Sequence, residues 1–261
     1  MSTVKPISSL QPARALERYT LLAVDGEIGT IEEFYFDDSS WSVRYLVVNT
    51  GNWLTGRQVL ISPVAVGEVR DDDSAIHIEL TREQIRNSPP RDAHQPVSRQ
   101  YEVEYFRYYA WPPYWRVGPL SGAPPPSRAT LDPARNKESA EALPEATHLR
   151  STTEVKGYEI AALDGGIGHV QDFIIDPQYW VIRYLEIDTR NWWPGKHVLV
   201  NPSWIAGVSW TERAVNLDLT RAAIKSAPGF DPAGLISRDY EIQLFKHYGR
   251  RGYWKQHTKT S

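Results

Sequence analysis

Apolar and polar positions follow the same order in two stretches of the chain, 139 residues apart. Each stretch opens with a short apolar run, Leu21-Leu-Ala-Val24 or Ile160-Ala-Ala-Leu163, that ends at Asp-Gly, a dipeptide that marks tight hairpins. The following strand places Ile31 and Glu33 on one parity and Phe34 and Phe36 on the other; Val170, Asp172, Phe173 and Ile175 do the same. A one-residue slip of the apolar phase predicts a β-bulge, at Glu32-Glu33 and at Gln171-Asp172. In the third strand Leu46 and Val48 persist as Leu185 and Ile187, whereas Val47 becomes Glu186. The even positions are therefore expected to face the core and Val47 to face outward. Arg44 and Arg183 share the inward parity and need an anion; Asp37 and Asp176, or Glu33 and Asp172, are the nearest candidates, and structural ion pairs are assigned to Arg44 with Asp37 and Arg183 with Asp176. Val59-Leu60-Ile61 ends at Pro63, and two further strands follow, the second at Ile76–Leu80 or Val215–Leu219. Five or six short strands with tight turns predict a small closed barrel.

The period then changes. Thr81 and Thr220 read as helix N-caps, with a capping box, Thr81 to Gln84, only in the first copy. Ser98 and Ser237 precede a second helical segment whose Tyr101, Tyr105 and Tyr108 share one face. Each copy closes on Tyr-Trp, at Tyr114-Trp115 and Tyr253-Trp254. Leu16–Trp115 and Val155–Trp254 align without a net insertion, and about a third of the positions are identical; a self-match of that length defines a duplicated unit. The organisation read from this is an N-terminal tail (1–15), unit 1 (16–115), a Pro-rich linker (116–154), unit 2 (155–254) and a C-terminal tail (255–261).

Composition narrows the function classes. The 261 residues include no cysteine, which excludes disulfides, thiolate metal sites and a cysteine nucleophile. No apolar run is long enough for a membrane helix, and the N-terminus carries no secretory h-region, so a cytoplasmic protein without a membrane span is expected. The net charge of −3 conceals an asymmetry. Residues 16–115 hold nine Arg, no Lys and sixteen acidic residues, whereas residues 155–254 hold eleven of each sign. A unit at −7 repels phosphate backbones, so no nucleic-acid partner is expected.

Candidate chemistry is sparse. The glycines at 25–29 and 164–168 are followed by a strand, whereas a phosphate loop leads into a helix, so no nucleotide cofactor is expected. Asp71-Asp72-Asp73 reads as a solvated turn. The seven histidines are scattered singly, without metal-ligand spacing, and no nucleophile motif is present. No catalytic, cofactor-binding or metal residue is assigned, and the chain is read as a non-enzyme. Partner binding is assigned to the aromatic loops and tails: Trp53 with Arg57, Trp192 and Trp193 with Lys196, and the pairs Tyr114-Trp115 and Tyr253-Trp254. Trp, Tyr and Arg dominate binding hot spots, although the same rings can plug a barrel mouth.

The series G-x-I-G-x-[IV], F-x-x-D, [VI]-R-Y-L and V-L-[IV]-x-P resembles the PRC-barrel, the fold of the cytoplasmic part of the photosynthetic reaction centre H subunit and of the C-terminal domain of ribosome maturation factors. The resemblance covers both units, extends into the following helix and leaves out the linker. It implies a mainly β protein with short helices: two small PRC-type β-barrels in tandem, each followed by a helical tail. The expected role is a non-catalytic protein-binding adaptor. The alternative is an accessory or assembly factor of a photosynthetic or electron-transport complex, and a ribosome maturation role is weaker because the first unit is acidic. Pseudo-two-fold packing of the two units, or a homo-oligomer, is a further expectation.

Overall fold

The computed structural model describes residues 10–54, 56–90, 97–116, 148–189 and 196–255. It divides into two compact units: unit 1 is built on residues 13–153 and 176–181, and unit 2 on residues 154–175 and 182–261 with the segment ending at Pro12. Each contains a seven-stranded sheet and short helices, so the protein is mainly β.

In chain order, unit 1 contains α1 (Ala13–Leu16), β2 (Thr20–Ala23), β3 (Gly26–Asp37), β4 (Val43–Asn49), β5 (Gln58–Ile61), β6 (Val66–Arg70), β7 (Ala75–Ile78), α2 (Arg82–Arg86), α3 (Arg99–Tyr108) and β8 (Leu149–Ser151). The sheet order is β5-β4-β3-β2-β7-β6, with β8 on β3. β5 and β6 stand at opposite ends of this order, yet only Ser62–Ala65 separates them. Five strand-to-strand steps in a flat sheet span roughly 24 Å, while five residues of chain reach at most about 18 Å. The sheet is therefore strongly curled. β3 is long enough to serve two partners on one edge, β2 at its start and β8 at Tyr35–Asp37.

The bulge expected at Glu32 is present: the β3–β4 register slips between Ile31 and Glu33. A second slip, between Tyr35 and Phe36, leaves Arg44 unpaired in β4, and a bulge re-aims its side chain. The expected outward position of Val47 is incorrect, since Val47 is fully buried and so is its counterpart Glu186. The strand is covered on both faces, because Tyr45, on the parity of Val47, meets Tyr105 of α3 edge-on. In the first hairpin the turn residues are Val24 and Asp25, and Gly26 already pairs with Ala23. Asp25 instead accepts the N–H of Arg82 at 2.7 Å, capping α2 from a distant loop.

Gly29 is required for another reason. A Cβ there would lie 1.9 Å from the carbonyl oxygen of Asn49, and one at Gly168 would lie 2.0 Å from that of Asp188. Both therefore mark places where two backbones meet.

Unit 2 repeats this plan with α4 (Thr152–Val155), β9 (Glu159–Ala162), β10 (Gly165–Asp176), β11 (Val181–Asp188), β12 (His197–Val200), β13 (Ile205–Ser209), β14 (Ala214–Leu217), α5 (Arg221–Ser226) and α6 (Arg238–His247). Its sheet order is β12-β11-β10-β9-β14-β13, and the seventh strand is β1 (Gln11–Pro12), paired with Ile174 and Ile175 of β10. Both seventh strands were missed in the sequence. Residues 149–154, read as the end of a linker, form β8 and most of α4, and Gln11–Pro12, read as a tail, form β1.

The caps follow the sequence. Thr81 makes a complete capping box with Gln84, while Thr220 caps α5 without one. Ser98 and Ser237 accept the N–H groups of Tyr101 and Tyr240. No helix among the described residues is long and apolar enough to cross a membrane.

Candidate functional site

The Tyr-Trp tails are held by a buried polar cluster that each unit possesses. Glu102, fully buried on α3, accepts Tyr45 Oη at 2.9 Å and Tyr114 Oη at 2.8 Å on Oε1, and Arg99 Nη1 at 2.8 Å on Oε2. Arg99 lies 4.3 Å from the Trp115 ring, and Arg44 lies 4.0 Å above Tyr114. Desolvation holds the Glu102 carboxyl above its ordinary value even though Arg99 and the two hydroxyls favour the charged form. In unit 2 Glu241 accepts Tyr184 at 2.6 Å, Tyr253 at 2.7 Å and Arg238 at 2.8 Å. Arg183 lies 4.2 Å above Tyr253, and Arg238 lies 4.6 Å from Trp254. Tyr114, Trp115, Tyr253 and Trp254 are thus internal fasteners between a tail and its own sheet and helix.

Arg44 reaches Asp37 as well, its Nη2 3.7 Å from Oδ2. The other oxygen of Asp37 accepts the N–H of Ser39 at 3.1 Å and that of Ser40 at 3.0 Å. Burial raises the Asp37 pKa, but the hydroxyl of Ser39 and the charge of Arg44 outweigh it and leave the carboxyl below its ordinary value. Asp176 makes the same turn, accepting the N–H of Gln178 at 3.1 Å.

The loop after β4 behaves differently. Its Arg57 is taken up inside the unit, donating to the carbonyls of Arg86, Ser88 and Pro89 at 3.1–3.2 Å, where it closes the C-terminal end of α2. Lys196 does the same for α5, reaching the carbonyls of Lys225 at 2.5 Å and Ala227 at 2.7 Å, and its burial lowers its pKa. Trp53 is half-buried, with the guanidinium of Arg82 4.7 Å from its ring and that of Arg86 at 5.8 Å. Together with Ile28, Gly29, Asn49 and Arg82 it lines an open groove of about 470 Å³. Trp192 and Trp193 lie outside the described residues.

A second cleft, of about 190 Å³, was not foreseen; it is lined by Ala65, Glu79, Leu80, Tyr108, Tyr109 and Trp111, with Val64 and Gln84 beside them. Its signal was present in the repeat as two mismatches: unit 2 has Trp204 in place of Ala65 and Arg250 in place of Trp111. Among the described residues no group of three or more His, Cys, Asp or Glu side chains could hold a metal.

The class defined by these features is a small curled sheet with a two-helix appendage, its polar clusters closed on themselves and its open surface in grooves beside the loops. Residues 13–85 match the family model of the PRC-barrel domain, a stretch that takes in the curled sheet of unit 1 through β7 and most of α2. An uncharacterized protein of Deinococcus radiodurans is 32% identical over 79 residues, which is 30% of this chain and 28% of that protein.

Proposed function

We propose that the chain is a non-catalytic binding protein composed of two PRC-barrel units, and that it engages a protein partner through the Trp53 groove of unit 1. The tandem reading is supported by the strand-for-strand repetition of the sheet order, caps and tail cluster in unit 2. A non-catalytic role is supported by the enclosed carboxylates Glu102 and Glu241, whose oxygens are engaged by internal donors. Groups committed in this way are poorly placed to exchange protons with a substrate.

The observation that carries the reading is Trp53. Its ring is half-buried beside Arg82 and Arg86 of α2, and its indole Nε1 is buried without a hydrogen bond among the described residues. A Trp flanked by arginines in an open groove has the composition of a binding hot spot. The test uses the full chain as bait in an extract of its native host, against a Trp53→Ala bait of matched stability. A partner anchored on this ring should be retained by the wild type and weakened roughly thirtyfold by the substitution, the factor that corresponds to a hot spot of about 2 kcal/mol. Equal capture by both baits removes the groove from the proposal.

A further inference from the structure

The cleft at the end of α3 differs between the units in a way that points to a ligand. In unit 2 the position carries its own cation: Arg250 Nη2 donates to Asp218 Oδ2 at 2.8 Å, and the Trp204 ring lies 4.7 Å from Tyr248 and 5.0 Å from Phe245. Unit 1 keeps the carboxylate as Glu79 and loses the cation, because Trp111 stands where Arg250 does. It also loses an indole, because Ala65, just ahead of β6, stands where Trp204 does, just ahead of β13. Trp111 takes over the packing, stacked on Tyr109 at 4.6 Å with Phe106 at 6.5 Å. The carboxylate is left without the guanidinium. Among the described residues Glu79 has neither a hydrogen bond nor an ion pair on its side chain, and it lines the cleft with Tyr108, Tyr109 and Trp111.

We propose that unit 1 binds a guanidinium group in this cleft, paired with Glu79 and laid against the aromatic wall. The chemistry suits such a group. A planar guanidinium pairs with a carboxylate and stacks on aromatic faces, and the net charge of −7 over residues 16–115 draws cations toward the unit. The cation that unit 2 supplies from its own chain is of this class. The ligand group can come from a small molecule or from an arginine side chain, and the site recognises what the two share.

The test is an NMR titration of the full chain, at constant ionic strength, with ethylguanidinium and separately with N-acetyl-arginine amide. Saturable binding with a dissociation constant on the order of millimolar is expected, with Glu79→Gln weakening it at least about tenfold, one charge-assisted contact. The double substitution Ala65→Trp with Trp111→Arg rebuilds the arrangement of unit 2 and should abolish binding by supplying the cation internally. If that variant does not fold, Glu79→Gln alone decides. Binding of both probes assigns the cleft to any exposed guanidinium head, and binding of the arginine amide alone assigns it to an arginine side chain. Binding of neither, or undiminished binding by Glu79→Gln or by a folded double variant, overturns the proposal.

Discussion

Two residues show how backbone and charge settle the local structure. After α3 the chain turns through a left-handed residue, Ala110, at φ 54°; its counterpart after α6 is Gly249, at φ 62°. The bonds Trp111 N–H to Phe106 and Ala110 N–H to Arg107, at 2.9 and 3.1 Å, are those of a Schellman cap, and Arg250 and Gly249 repeat them. Alanine is strained there and glycine is not. Ala110→Gly should therefore stabilise the protein by about 0.5–1 kcal/mol, and Gly249→Ala should destabilise it by a similar amount, both read from urea midpoints. Asp37 gives a prediction in pH. Its folded pKa is depressed, so its contribution is complete above the ordinary carboxylate value and is lost as pH falls through the folded one. Asp37→Asn should cost about 1–3 kcal/mol at neutral pH, and the gap to wild type should close in acid. Neither result was open to a reading of residue types alone. The repeat marks Asp37 as special, but only coordinates show four donors from Ser39 and Ser40 converging on one oxygen.

Among the elements, α2 and α5 are too short to be stable alone and depend on what closes their ends. At the start, the side chains of Thr81 and Asp25 take the orphan N–H groups of α2. At the end, Arg57 takes carbonyls, as Lys196 does for α5. Arg57→Ala should destabilise by roughly 1–2 kcal/mol, while Arg57→Lys should stay within about 0.5 kcal/mol of wild type because the second unit already uses lysine. Calorimetry on both variants separates these outcomes. The helix starts were legible because a cap is a local pattern of residue types. The groups that close the ends were not, because the closing cation arrives from a loop 29 residues away in sequence. The same limit explains Val47. Alternation reveals one buried face of a strand, but a helix distant in sequence covers the other.

For the molecule as a whole, the tyrosines set an alkaline limit. Tyr45, Tyr105 and Tyr184 are held well above their ordinary pKa, chiefly by burial, and Tyr19, burial acting first and its bond to Asp71 second, is pushed up to about 12. A group whose folded pKa is raised contributes stability that is complete below the unfolded value, about 10 for tyrosine, and lost as pH rises. Stability should therefore fall steeply above about pH 10, with the tyrosinate absorbance rising together with unfolding rather than ahead of it. Ionisation of these residues before any change in circular dichroism would contradict it. The succession of strands in each unit was legible from the matched apolar runs; their order in the sheet was not, because it is set by pairings between strands far apart in the chain, such as β2 with β7, and the seventh strands are too short for a pattern. Those two strands have a consequence in time. A chain is synthesised from its N-terminus at about 5–20 residues per second, and β1 meets its partner only once Ile174 and Ile175 exist. The earliest-made strand must therefore wait on the order of ten to thirty seconds at that rate before it can join its sheet. The first sheet likewise lacks β8 until residue 151 has been made. Each half is a late product of translation, and a break anywhere in the joining segment would leave two pieces that each miss a strand.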